Sequence, residues 1–186
     1  MPRKKRIWFP QAMYHITTRG NRKSAIFLDK GDRLMYMDLL EDARARYPFH
    51  LLSYCLMTNH VHLQLQTLND PIDKIMYLLN SKYAKYFNKK HDYVGHVFQG
   101  RYGAELIDSK QYELDVSKYI HLNPHEAKMV KKPEHYPYSS YRAYISLEKN
   151  NHVQLERILS YFPKPQAYHY KQFVEQPDVL PDFPLI

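Results

Sequence analysis

Between Ala12 and Ile107 the spacing of apolar residues switches back and forth between two periods, and that succession leaves few folds open. The stretch from Ala12 to Arg19 (AMYHITTR) alternates like a half-buried strand and stops at Gly20-Asn21. Asp29 offers an N-cap to a helix that runs to about Tyr47, with Leu34, Met35, Met37, Leu39, Leu40 and Ala43 as its apolar stripe and Pro48 as its end. The apolar-rich runs His50 to Met57 and Val61 to Thr67 flank Thr58-Asn59-His60 and predict an antiparallel hairpin. Pro71 suits the first turn of a second helix carrying Ile72, Ile75, Met76, Leu79, Tyr83 and Phe87 to about Lys90. Val97 to Ile107 (VFQGRYGAELI) predicts the fourth strand, its glycines marking a bulge or a close approach. Strand, helix, strand, strand, helix, strand is the order of the split βαβ arrangement. The expected class is therefore α+β, ferredoxin-like: a four-stranded antiparallel sheet with two helices on one face.

Beyond this unit, Ser109 caps a predicted third helix through Asn123, with Pro124 after it. From Lys131 onward the chain is richer in Pro, Tyr and His, with helical patches near Ser139 to Leu147 and Val153 to Tyr161. At 186 residues the chain accommodates one domain and a small appendage. The expected division is a basic arm over residues 1–11, a main domain over 12–130 and a C-terminal extension over 131–186. No internal repeat or low-complexity tract interrupts it.

Lys and Arg outnumber Asp and Glu by 27 to 19, a net charge of +8 that favours a polyanionic partner such as nucleic acid. The 18 Tyr, 8 Phe and 1 Trp supply flat faces on which unpaired bases can stack, although most such rings serve the core or the surface. Cys55 stands alone, which excludes an intrachain disulfide and a Cys-rich zinc site and fits a reducing cytoplasm. The basic opening Met1-Pro2-Arg3-Lys4-Lys5-Arg6 is followed only by Ile7-Trp8-Phe9 before Pro10 and Gln11, too short an apolar run for an export signal. With no long apolar stretch elsewhere, a soluble cytoplasmic protein is expected.

His60 and His62 flank Val61 on the second strand of the hairpin. Side chains at i and i+2 leave the same face, so the two imidazoles can converge on one metal ion while Val61 enters the core. In the third helix Tyr119 and Asn123 are four apart and share a face, so a phenol and a carboxamide can project together. A carboxamide oxygen beside two imidazoles is acceptable to Mg²⁺ or Mn²⁺ and leaves positions open for phosphate oxygen, against which a tyrosine hydroxyl could act as nucleophile. A tyrosine merely packed beside a C-terminal Asn is the plainer alternative.

Four ordered motifs together, Met57-Thr58-Asn59-His60-Val61-His62-Leu63, Phe98-Gln99-Gly100-Arg101-Tyr102, Tyr119-Ile120-His121-Leu122-Asn123-Pro124 and Tyr138-Ser139-Ser140-Tyr141, resemble the single-tyrosine transposases of the HUH endonuclease superfamily. The likeness runs from about Pro10 to about Ala143 and is greatest for the REP-associated tyrosine transposase branch. It implies that residues 12–130 are the catalytic domain, and that the protein binds hairpin single-stranded DNA and cleaves it beside the hairpin foot. By the same likeness Tyr119 is the nucleophile, leaving a 5′-phosphotyrosine and a free 3′-hydroxyl, and a DNA 3′-hydroxyl later reverses the link to rejoin strands. His60 and His62 map onto the metal-binding pair for Mg²⁺ or Mn²⁺. Asn123 falls where insertion-sequence relatives carry Gln; one methylene shorter, it would ligate directly or through a water. The expected DNA contacts are Arg3, Lys4, Lys5 and Arg6 as an arm, Arg19, Asn21 and Arg22 after the first strand, and Gln99 and Arg101 on the fourth. The repeat-associated branch implies a monomer, whereas insertion-sequence relatives act as dimers.

Another enzyme, a structural zinc protein and a regulator compete with this reading. A two-histidine phosphoesterase needs a His-x-Ser/Thr pair and finds only His15-Ile16-Thr17. A structural zinc protein lacks further paired ligands. A non-catalytic DNA-binding regulator on the same fold would have no use for His60, His62 and Tyr119 together.

Overall fold

A computed structural model describes residues 7–176, so the expected basic arm of Arg3, Lys4, Lys5 and Arg6 lies outside the described residues. Strands β1 (Met13–Arg19), β2 (Phe49–Leu56), β3 (His60–Thr67) and β4 (Gly103–Ile107) form one sheet in the order β2-β3-β1-β4. Every pairing is antiparallel. Helices α1 (Lys30–Arg46) and α2 (Ile72–His91) cover one face, which gives the expected ferredoxin-like arrangement.

The strict alternation of β1 and β3 sorts side chains between two faces. Tyr14, Ile16, Val61, Leu63 and Leu65 enter the core under α1 and α2, where they meet Tyr36, Leu40, Ile75, Leu79 and Tyr83. The helices are also tied to each other by polar contacts. Asp29 and Asp32 form a capping box at the start of α1, and Asp32 further receives Lys90 Nζ at 2.8 Å and His91 Nε2 at 3.0 Å from the end of α2. Burial alone would raise the Asp32 pKa, but hydrogen bonds from Lys90, His91 and the backbone N–H groups of Leu28 and Asp29 outweigh it and hold the carboxyl down to about 2.

Two boundaries differ from the sequence expectation. The fourth strand begins at Gly103, not at Val97, because the chain pairs with the end of β1 only at a single bridge, Gly20 to Phe98, and then swings out through Gly100 and Arg101. It rejoins β1 at Gly103, where an added Cβ would lie 2.4 Å from Thr17 Oγ1, so a side chain there would displace the threonine. Gln99 and Arg101 therefore sit on a loop before the strand. The third helix, α3 (Lys110–Glu126), does not stop before Pro124 but includes it. Pro124 has no N–H for the Ile120 carbonyl, but bonds from Ala127 N–H to the Asn123 carbonyl and from Met129 N–H to the Pro124 carbonyl close the helix behind it.

The face of the sheet opposite α1 and α2 receives α3, whose Val116 and Ile120 pack on Met13, Leu52, Cys55 and Met57. Residues beyond α3 return to the sheet. Tyr138 to Ser140 run beside β2, with Leu56 N–H bonded to the Tyr138 carbonyl at 2.9 Å and Ser140 N–H to the Tyr54 carbonyl at 3.1 Å. Short helices α4 (Tyr141–Tyr144) and α5 (Glu156–Leu159) fall within the two expected patches, and α6 (Gln166–Glu175), which the sequence reading did not anticipate, lies along the outer side of α3. Among the described residues no helix is long and apolar enough to cross a membrane.

The Asp32 cluster predicts an acid limb of stability. Its folded pKa lies below the ordinary carboxylate value, so its contribution is complete above about pH 4 and is lost as pH falls through about 2. Denaturant titrations should show a loss of about 2 kcal/mol over that window in the wild type that is absent in Asp32→Asn. Gly20→Ala tests the turn after β1: its Cβ would fall 2.0 Å from the Ser24 carbonyl oxygen, backbone that cannot rotate away. Urea unfolding should register a cost of about 1–3 kcal/mol.

Candidate active site

On the face under α3, β3 presents His60, His62 and Gln64, and antiparallel register sets Arg19 opposite His60, Thr17 opposite His62 and His15 opposite Gln64. The His60 and His62 rings lie edge to face with centroids 4.9 Å apart, so the expected convergence of the pair is present. Their Nδ1 atoms are both engaged. His60 Nδ1 meets Asn59 Oδ1 at 2.7 Å, and since Asn59 Nδ2 donates to the Lys23 carbonyl at 3.0 Å, the amide oxygen must face the ring and accept its Nδ1–H. His62 Nδ1 meets His15 Nε2 at 3.0 Å within the buried layer.

α3 lays Tyr119 and Asn123 over these rings. Asn123 Nδ2 stands 3.4 Å from His62 Nε2, and the Tyr119 ring meets His62 edge-on at a centroid distance of 5.3 Å. Burial lowers the pKa of His60, partly opposed by a hydrogen bond with Asn123 and reinforced by the Arg19 charge; burial with His15 and His60 nearby holds His62 well below the ordinary value. Both imidazoles are thus neutral at physiological pH, the form that offers a nitrogen lone pair to a metal. Burial raises the Tyr119 phenol, a hydrogen bond from Asn123 opposes that rise, and the Glu105 charge adds to it.

Among the described residues no three His, Cys, Asp or Glu side chains are grouped to hold a metal. Two neutral imidazole nitrogens and one carboxamide fit a divalent ion that keeps several positions for water or phosphate oxygen.

The other expected DNA contacts divide. Arg19 sits beside the histidine pair. Asn21, Gln99 and Arg101 come together along a groove of about 1100 Å³ between α2 and the loop before β4, which Lys74 and Lys85 also line. Arg22 is exposed in the turn after β1, in the left-handed region with φ 52°, and does not line the groove. Three residues that hold the site escaped the sequence reading: Asn59, His15 and Glu105. Asn59 stands inside the first motif, and His15 is in phase with Met13 and Thr17 on β1, so strand register was the signal that could have found it.

The IS200-like transposase family model matches residues 9–123, a span that ends on Asn123 and contains every residue of this site. The chain belongs to the IS200-like transposase family. Its fold is similar to that of a REP-associated tyrosine transposase bound to a REP hairpin, at 15% sequence identity and a TM-score of 0.67, with 83% of this chain and 98% of that one covered. A transposase candidate from Deinococcus radiodurans is similar over 64% of this chain and 95% of its own, at 18% identity and a TM-score of 0.45. No curated protein sequence matches.

In this transposase the tyrosine helix is gripped on its outer side by the segment that follows it. His121 is fully buried, with Nδ1 2.6 Å from Tyr170 Oη and Nε2 2.7 Å from Ser140 Oγ, while Tyr170 Oη also lies 2.6 Å from Ser117 Oγ. Lys118 adds a bond to the Gln176 carbonyl at 3.2 Å and sits 5.2 Å from the Phe173 ring. The expected Tyr138-Ser139-Ser140-Tyr141 motif thus has a physical role: Ser140 joins β2 to α3 through His121. Tyr170→Phe leaves Ser117 and His121 without that hydroxyl in a dry interior and should cost about 1–3 kcal/mol in denaturant unfolding, with Tyr119 ring resonances broadened if α3 loosens.

Proposed function

We propose that this DNA transposase binds hairpin single-stranded DNA and cuts and rejoins it through a covalent link to Tyr119. The observation that carries the reading is the convergence of a helix-borne phenol and carboxamide on two neutral imidazoles of the sheet. Tyr119 Oη attacks the scissile phosphorus and loses its proton; the bond from phosphorus to the 3′ oxygen breaks, and that oxygen leaves as a hydroxyl. The 5′-phosphate stays on the tyrosine until another 3′-hydroxyl attacks and restores the phenol. Each step exchanges one phosphodiester for another, so neither water nor ATP is consumed.

Tyr119 needs help, because its surroundings raise its pKa above an already unreactive value. Asn123 favours the phenolate by hydrogen bonding, and Arg19, across the strands from His60, contributes positive charge for the phosphate. His60, His62 and Asn123 would hold Mg²⁺ or Mn²⁺, which supplies Lewis-acid polarisation of the phosphate when bound.

The net charge of +8 and the groove holding Asn21, Gln99 and Arg101 support a DNA strand passing beside β4, and the similar fold solved with a REP hairpin supports a hairpin as its form. Because α3 lies over the histidines of its own chain and is fastened there by its own C-terminal residues, the reading favours a monomer acting in cis.

With hairpin DNA from the flanks of its own gene and Mg²⁺ or Mn²⁺, the protein should form a covalent adduct on a denaturing gel that EDTA prevents and Tyr119→Phe lacks. Equal products from wild type and Tyr119→Phe would remove Tyr119 as nucleophile, and an adduct persisting in His60→Ala/His62→Ala would remove the ligand assignment. Arg101→Ala should weaken binding across sequences and make the plot of log affinity against log salt shallower by about one unit.

A further inference from the structure

Across three adjacent strands of the site face, Glu105 on β4, His15 on β1 and His62 on β3 stand in a row. Glu105 and His15 are direct cross-strand partners, with His15 Nδ1 4.0 Å from Glu105 Oε2, and His15 Nε2 is 3.0 Å from His62 Nδ1. Tyr112, one turn into α3, donates its hydroxyl to the same Glu105 oxygen at 3.0 Å and holds the carboxylate in place.

We propose that Glu105 and His15 are positioning residues that fix His62 as its Nδ1–H tautomer, with the Nε2 lone pair turned toward Asn123 and the metal position. The inference rests on the reading of His60, His62 and Asn123 as a metal site. One proton lies between His15 Nε2 and His62 Nδ1, and it belongs to one ring or the other. If His15 owned it, the lone pair of His15 Nδ1 would face the Glu105 carboxylate, and His62 would carry its proton on Nε2, against the Asn123 amide group. If His62 owns it, His15 carries its proton on Nδ1 toward the carboxylate, and His62 Nε2 accepts from Asn123 Nδ2. The first arrangement sets a lone pair against the carboxylate and needs the amide turned over, whereas the second turns a proton toward the carboxylate and lets His62 Nε2 accept from Asn123 Nδ2 as that amide is placed. It also completes a symmetry of purpose with His60, whose Nδ1–H is committed to Asn59, so that both imidazoles keep Nε2 for a ligand.

Free imidazole side chains in water favour the proton on Nε2, so the row must work against that preference, which makes it measurable without any reaction. In metal-free protein labelled with ¹⁵N at histidine, long-range ¹H–¹⁵N correlation at neutral pH should show His62 in the Nδ1–H form. His15→Phe, which keeps ring volume and removes the acceptor, should shift His62 toward the Nε2–H form and weaken Mn²⁺ binding, read by its EPR signal, by about 10–100-fold. His15→Gln, whose amide oxygen can accept from His62 Nδ1, should restore most of both. Glu105→Gln perturbs only a half-exposed side chain, so its fold is secure, and it should give a mixed His62 tautomer with intermediate affinity. A wild-type His62 in the Nε2–H form overturns the proposal, as does His15→Phe or Glu105→Gln with unchanged tautomer and affinity. Absence of Mn²⁺ binding by the wild type would instead overturn the metal site, while the tautomer still reports on the row.

Discussion

A polar row buried between a sheet and a helix is the constraint from which the site follows. Ferredoxin-like sheets have two faces, and here α1 and α2 take the apolar one, leaving α3 to roof a face that carries His15, His62, Gln64 and Ser53. Groups of this kind are tolerated in a dry layer only when each finds a partner, so their hydrogen bonds specify one geometry. Ser53 donates to Gln64, Gln64 donates to the carbonyl of Glu113 in α3, and His62 is bracketed by His15 and Asn123. The same bonds that satisfy the layer set the height and rotation of α3, and with them the position of Tyr119.

Positioning from below would not suffice for a helix that also carries a proline in its last turn. Against Ser117, His121 and Leu122 of α3 the segment that follows supplies a second wall, apolar through Tyr141, Tyr144, Ile158 and Val174 and polar through Tyr170. Glu113 joins in from the N-terminal half of α3 through a two-point contact with Arg157. The helix is held along most of its length on both sides, with Tyr119 and Asn123 over the His62 ring.

Much of the fold was legible because its segments are strongly periodic: the β1 alternation, the α1 cap at Asp29 and the α2 stripe from Ile72 to Phe87 all appear as read. The errors fall where local signals compete with tertiary contacts. Val97 to Tyr102 has strand-forming residues, yet Tyr102 donates to Asp73 on α2 and the loop follows α2 instead of β1. Pro124 signals a stop in isolation, yet its turn is stabilised by bonds made later in the chain. At the site, His60, His62, Tyr119 and Asn123 were visible because i+2 and i+4 spacings are short-range geometry. His15 and Glu105 were not, since their nearness to His62 depends on which strands become neighbours, and α6 lay beyond any motif.

The wall of Ser140 and Tyr170 carries a consequence for how strands are exchanged. Some enzymes of covalent DNA chemistry carry the bound end across on a swinging element. A helix bonded at its sheet side to His62 and at its far side to buried Ser140 and Tyr170 would have to break those bonds to swing. Under the proposed chemistry the protein is a fixed anvil: the linked 5′ end stays where it was cut, and the choreography of departure and arrival falls to the two DNA 3′ ends. The shape and flexibility of the DNA near the hairpin foot, more than any movement of the protein, would then decide which ends are joined.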